Sequence, residues 1–325
     1  MTHGSIVGPG AESKDVLPQG LSVRVRVPSS SANLGPGFDC LGIALGIYDE
    51  VIIETTAPGI VEVDVSGEGA DDVPRNESHL VVRACLRGLE VGGVRTAGLR
   101  LRSVNAIPHS RGLGSSAAAA VAGLAAASGL LEAAGVRPRF SDDEMVQLSG
   151  EFEGHPDNAA ASVLGSAVVT WIEAGDSEAT APTYVARRLV VHPDISATVF
   201  VPDTESSTAY TRGLLPDVVP RADAIFNLSR SAVAVVALTS DPTCLFAATE
   251  DRLHQRYRET AMVPTAQLVR ELRAHGLAAT VSGAGPTVLV LGVGPVPTVA
   301  RSVGDGLGFR AHPVAVAGGV EITTG

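Results

Sequence analysis

Between Ile107 and Ala134 the chain passes from a strand-like stretch through a glycine loop into a long alanine-rich helix, and this passage constrains the fold more than any other. The loop reads Ile107-Pro108-His109-Ser110-Arg111-Gly112-Leu113-Gly114-Ser115-Ser116-Ala117-Ala118. It follows the apolar and polar alternation of Leu99 to Val104, the pattern of a half-buried strand. It opens Ser115 to Ala134, whose alanines favour helix up to Gly135. Gly112 and Gly114 let backbone amides approach a ligand, and the next residues present free N–H groups at the positive end of a helix dipole, where an anion is stabilised. One of Ser115 and Ser116 suits a helix cap, and the other a phosphate oxygen or a magnesium ion, whose hard oxygen preference fits a hydroxyl and a carboxylate. On its own, Gly-x-Gly-Ser-Ser is equally compatible with a capped tight turn.

Lys14 is the only lysine, and it sits in Met1 to Gly20, a stretch rich in Gly, Pro and charge that reads as a flexible extension rather than a signal peptide. Walker-type phosphate loops, protein kinases and Schiff-base enzymes all need a core lysine, so those mechanisms are excluded. A formal net charge of -11, with no basic stripe, argues against nucleic acid as a partner. An anion such as ATP therefore has to be held by backbone donors and a few arginines. Ala117 to Ala127 is the longest small-apolar run and falls well short of the roughly 20 residues that span a bilayer, so no membrane partner is expected. Cys40, Cys85 and Cys244 are few, odd in number and far apart, the usage of reduced thiols in the cytoplasm.

Strands are expected at Ser22 to Val27, Val51 to Thr55, Val61 to Val65, Ala167 to Ile172, Leu189 to His192 and Ala197 to Val201. Ser141 and Glu144 form a capping box for a helix to about Glu153, with Met145, Leu148 and Phe152 on one face. Arg221 to Leu238 and Pro264 to His275 read as helices, and Thr280 to Leu291 as strand, glycine loop, strand. Strands and helices mix without strict alternation, which predicts an α+β fold. The Pro and acidic stretch from Gly175 to Pro182 is the expected boundary between lobes.

The twelve-residue loop resembles the signature loop of the GHMP kinase superfamily, which binds ATP without a Walker lysine, and the resemblance runs from about Leu21 onward. Pro28-Ser29-Ser30-Ser31-Ala32-Asn33-Leu34-Gly35-Pro36-Gly37-Phe38-Asp39 and Glu151-Phe152-Glu153-Gly154-His155-Pro156-Asp157-Asn158 are similar to the homoserine kinase versions of two further motifs. Ser282-Gly283-Ala284-Gly285-Pro286 is similar to the C-terminal glycine loop. The resemblance implies a bilobal GHMP kinase fold: an extension at 1–20, an N-terminal ATP-binding lobe at 21–180 and a C-terminal α/β sandwich lobe at 181–325. It implies transfer of a phosphoryl group from ATP to the hydroxyl of L-homoserine, with Mg2+, by a cytoplasmic enzyme for which a homodimer is left open.

The same resemblance distributes roles over single residues. Pro108 to Ala118 would hold the nucleotide. Arg212 and Arg258 match arginines that clasp the substrate carboxylate, for which a guanidinium fork is suited. Asp39 matches the acid that faces the ammonium, and Asn33, His155, Asp157 and Asn158 match the rest of the pocket, with Asn158 orienting the hydroxyl. Glu151 and Glu153 lie about 200° apart around a helix, so only one can face a metal. The match by eye places Glu151 with Ser116 in that role and leaves Glu153 as a solvated or capping residue. Asp157 is the one candidate base, and His109 and Arg111 stand near enough to add positive charge. Outside context each residue is also at home in a turn, a cap or a surface ion pair. A kinase for a mevalonate-like alcohol and a nucleotide-binding regulator without turnover are the alternative functions.

Overall fold

The computed structural model describes residues 15–174, 182–206 and 208–325. The first part of the chain runs through β1 (Asp15–Val16), β2 (Ser22–Asn33), β3 (Gly37–Thr55), β4 (Val61–Gly67), α1 (Leu80–Val91), β5 (Val94–Arg95) and β6 (Leu99–Asn105). It continues through α2 (Ser115–Ala133), α3 (Asp142–Glu153), α4 (Asp157–Leu164), β7 (Ala167–Glu173) and β8 (Thr183–Leu189). The second part holds β9 (Ile195–Pro202), α5 (Thr208–Arg212), α6 (Arg221–Thr239), α7 (Leu245–Ala248), α8 (Gln255–Arg258), α9 (Val263–Ala274), β10 (Ala278–Val281), β11 (Val288–Val293), α10 (Thr298–Gly306), β12 (Phe309–Val314) and β13 (Glu321–Thr324).

A seven-stranded sheet takes the order β13-β2-β3-β6-β4, with β7 and β8 added beside the first half of β3. The 19 residues of β3 make this possible, because Leu41 to Ile43 pair with β7 while Glu50 to Thr55 pair with β6. β1 with β5 forms a two-stranded sheet, and a four-stranded antiparallel sheet takes the order β10-β11-β9-β12. Phe200, Val288, Val290 and Phe309 meet Leu268, Leu272 and Ala300 of α9 and α10 on one of its faces. Ala197, Val199, Leu289 and Leu291 on the other face join Ala234, Ala237 and Leu238 of α6 in the main core. The α+β fold is what the patterning predicts, and a sandwich in the second part is what the family resemblance implies.

The helix after the glycine loop forms as expected, and it is buried nearly all round because its only charged residue is Glu132, at the far end. Among the described residues two helices, α2 and α6, are long and apolar enough to cross a membrane by length and composition. Here α2 lies inside the core, and α6 packs its Ala234, Ala237 and Leu238 edge inward. The capping box of α3 is present, with Ser141 Oγ accepting the Glu144 N–H and Glu144 returning to the Ser141 N–H. Helix α1 is not foreseen, although Val81, Val82, Cys85 and Leu89 are spaced for one buried face.

Two expected boundaries change. Residues 1–14, including Lys14, lie outside the described residues. From Asp15 the chain belongs to the fold, since β1 pairs with β5, Leu17 is buried and Thr55 Oγ1 donates to Pro18 O at 2.7 Å. The division at 180 is corrected as well. Residues 175–181 are outside the described residues, but β8 pairs along the whole of β7 and β13 pairs with β2, so both belong to the larger sheet. The four-stranded sheet starts at Ile195 and the chain recrosses near Val316, which bridges to Leu45. Composition marks a polar break in the chain and says nothing about which sheet the next strand joins. The strand expected at Leu189 to His192 ends at Leu189.

Candidate active site

Loop position is set from underneath. After β6, the buried Asp49 carboxylate accepts the N–H groups of Ala106 and Ile107 at 2.7 and 2.9 Å. Burial, opposed by those two N–H groups, pushes the Asp49 carboxyl up to about 6. Farther along, Ser282 Oγ donates to Gly112 O at 2.6 Å and Ser30 N to Leu113 O at 3.1 Å, so β2 and the residue that follows β10 both hold the loop. Gly114 takes φ 70° at the N-cap, and a Cβ there would collide with Ser30 Oγ. No side chain caps the helix. The first helical bond is Ala118 N to Gly114 O, so the amides of Ser115, Ser116 and Ala117 have no intrahelical acceptor.

The capping role expected of one serine is thereby corrected, because Gly114 holds the cap position and both hydroxyls stay free for other partners. Arg111 is also corrected. Its guanidinium donates to Pro202 O, Asp203 O and His109 O and pairs with Glu205, so it ties the loop to the end of β9 and adds little charge to a ligand. Pro108 to Ala117 line one cleft of about 690 Å³, whereas Ala118 turns into the core. If the loop holds the nucleotide that its resemblance implies, Gly114→Ala should abolish measurable nucleotide binding by calorimetry, with at most a few degrees lost in Tm, because the left-handed cap and the space at Ser30 both forbid a methyl.

The carboxylate that meets the loop is Glu153. Ser116 Oγ donates to its Oε1 at 2.7 Å, at the last turn of α3 before Gly154 reverses the chain with φ 76°. The assignment to Glu151 is corrected: that side chain faces Arg87 at 3.4 Å and Gln147 at 3.3 Å and lines a separate groove. Two residues along a helix turn the carboxylate by about 200°, so the pair divides between two faces.

All seven expected pocket residues line the same cleft as the loop. Asp39, at φ 56°, and Arg212 of α5 form a two-bond fork, 2.8 Å for each N–O distance, and that bond raises the Arg212 guanidinium above its ordinary range. Arg258 is 2% exposed, and burial together with the Arg212 charge brings it down to about 10. Both guanidinium carbons stand over the Phe38 ring, at 5.4 and 5.5 Å. Asn33 donates to Gly283 O at 2.9 Å and accepts the Asp39 N–H at 3.0 Å, which fixes the loop between them.

Beside them Asp157 is buried, and its Oδ1 accepts the Asn158 N–H at 2.7 Å and lies 3.3 Å from His155 Nδ1. The Asp157 contact raises the His155 imidazole above its usual value, against burial. Asn158 Oδ1 accepts from Ser30 Oγ at 3.0 Å, which leaves its Nδ2 for a ligand. Beyond the loop, away from the arginines, the cleft is lined by Val73, Pro74, Leu80 and Val81, with His79 at the start of α1. Sequence reading did not single out Ser30, Asp49, Phe38, His79 or His254. Only Phe38 and Ser30 fall within a motif, so only they carried a signal.

Residues 79–166 match the family model described as GHMP kinases N terminal domain. A homoserine kinase of Rhodococcus erythropolis is 58% identical over 308 residues, 95% of this chain and 98% of that one. A homoserine kinase of Mycobacterium tuberculosis is 53% identical over 93% of this chain and 94% of its own. Among solved structures, homoserine kinase from Cytophaga hutchinsonii aligns with a TM-score of 0.78 at 21% identity, covering 98% of this chain and all of that one. Mevalonate diphosphate decarboxylase from Staphylococcus aureus aligns at a TM-score of 0.59 and 17% identity, over 93% of this chain and 98% of its own.

Proposed function

Since this chain belongs to the homoserine kinase family of GHMP kinases, we propose that its cleft transfers the γ-phosphoryl group of ATP to the hydroxyl of L-homoserine, giving O-phospho-L-homoserine. One observation carries the reading: a helix start with three free amides and a cationic and anionic pair made for a zwitterion line a single cleft. The triphosphate takes the amides of Ser115, Ser116 and Ala117, where charge on the phosphoryl oxygens is stabilised by fixed dipoles. The apolar end at Val73, Pro74, Leu80 and Val81 accepts the adenine.

Ser116 and Glu153 offer a hydroxyl and a carboxylate, both hard oxygen donors, and two protein ligands completed by phosphates suit Mg2+. When bound there, the ion neutralises charge on the phosphates. Arg212 and Arg258 receive the homoserine carboxylate and Asp39 its ammonium, which sets the hydroxyl beside Asn158 Nδ2. Asp157 already holds Asn158 and His155, so it serves as their support, and the hydroxyl proton leaves late, to a phosphate oxygen. We assign the enzyme to the cytoplasm, a reading supported by the free thiols of Cys40, Cys85 and Cys244. Purified protein tested on alcohols with coupled ADP detection should turn over homoserine and leave mevalonate untouched; the reverse order would overturn the reading, and binding without ADP release would favour a regulator.

A further inference from the structure

We propose that His254 is a positioning residue that aims Arg258 at the substrate carboxylate, so that it sets selectivity for an α-amino acid without touching it. The inference rests on the reading of Arg258 just given. His254 is fully buried, on the turn that leads into α8. Its Nε2 lies 2.8 Å from Gly35 O, and a carbonyl only accepts, so Nε2 carries the proton. In the neutral ring Nδ1 is then an acceptor, and it lies 3.1 Å from Arg258 Nη1, which only donates. An imidazolium would set N–H against N–H. Burial, assisted by the Arg258 charge and opposed by Asp251, keeps the ring below its usual pKa and thus neutral.

Asp251 does not compete for the ring. Its oxygens accept the N–H groups of Leu253, His254 and Gln255 and the Asn227 amide, which fixes the turn, while its distance to Nε2 is 3.7 Å. The imidazole packs against Phe38 with centroids 5.3 Å apart, and that ring lies beneath both arginines. Arg258 Nε donates to Thr211 O at 3.2 Å, and Nη1 also reaches Gly283 O at 3.4 Å. Among the described residues only Nε and Nη1 are engaged, which leaves the N–H groups of Nη2 for a carboxylate. His254 thus joins the loop that carries Asp39 to the arginine that faces it across the pocket.

The test compares homoserine with 3-aminopropan-1-ol, the same alcohol without its carboxylate. His254→Gln keeps a donor towards Gly35 and loses the acceptor for Arg258, and should lower kcat/KM for homoserine about tenfold while the value for 3-aminopropan-1-ol stays within about twofold. His254→Asn places Oδ1 near the site of Nδ1 and should recover most of that selectivity. Equal losses on both alcohols, or an unchanged ratio in His254→Gln, would overturn the inference. Should both variants fail to fold, the imidazole nitrogen shifts of the unmodified protein decide: an Nε2–H ring beside Phe38 is expected, and an Nδ1–H ring or an imidazolium sinks it. Absence of homoserine turnover by the unmodified enzyme would instead defeat the functional reading.

Discussion

Glu153→Gln should lower kcat by about 10²-fold or more, whereas Glu151→Gln should stay within about twofold of the parent enzyme. The two glutamates sit two residues apart in one helix, so folding, net charge and helix propensity change almost equally in both variants. What differs is direction. Glu153 meets the Ser116 hydroxyl at 2.7 Å in the cleft, while Glu151 forms a half-exposed pair with Arg87 on the far side of α3. An exposed pair of that kind contributes little to stability. Ser116→Ala should shift the magnesium dependence in the same sense as Glu153→Gln, and less steeply, because a carboxylate is the stronger ligand. Titrating magnesium against turnover for the three variants checks this. A Glu151→Gln enzyme that loses turnover while Glu153→Gln keeps it would place the metal on the other face of the helix.

This pair also marks how far the sequence was legible. The loop and the helix start proposed for the nucleotide were legible, because glycine, serine and alanine at the start of a helix carry their chemistry in the backbone, and backbone geometry follows from local sequence. The capping box at Ser141 fixed where α3 begins, and hence that residues 151 and 153 oppose each other. Which of them turns inward depends on how α3 leans on α2, a contact between segments far apart in the chain. The lobe boundary misled for the same reason, since β13 and β8 join the first sheet through long-range pairing that no local pattern records. His254 shows the limit most clearly. It precedes Arg258 by one helical turn, but its bond to Gly35 spans 219 residues.

Arg212→Ala should raise the KM for homoserine by roughly 10²-fold and leave the KM for ATP within about twofold. Without substrate, Arg212 and Asp39 satisfy each other through two 2.8 Å bonds. Homoserine carries both complementary charges, so on the proposed reading its carboxylate takes over the guanidinium as its ammonium takes over Asp39, and no charge is left unpaired. Removing Arg212 breaks that exchange on one side only. Asp39 still receives the ammonium, but the carboxylate keeps Arg258 alone, and truncating one partner of a hydrogen-bonded charge pair costs about 2–5 kcal/mol. Arg212→Lys should fall between, since an ammonium keeps the charge and loses the fork. On the proposed reading the nucleotide is held by the amides at the start of α2 and not by α5, so it should not register the change. Initial rates with each substrate varied in turn measure both constants, and an equal rise in the two would remove Arg212 from the carboxylate site.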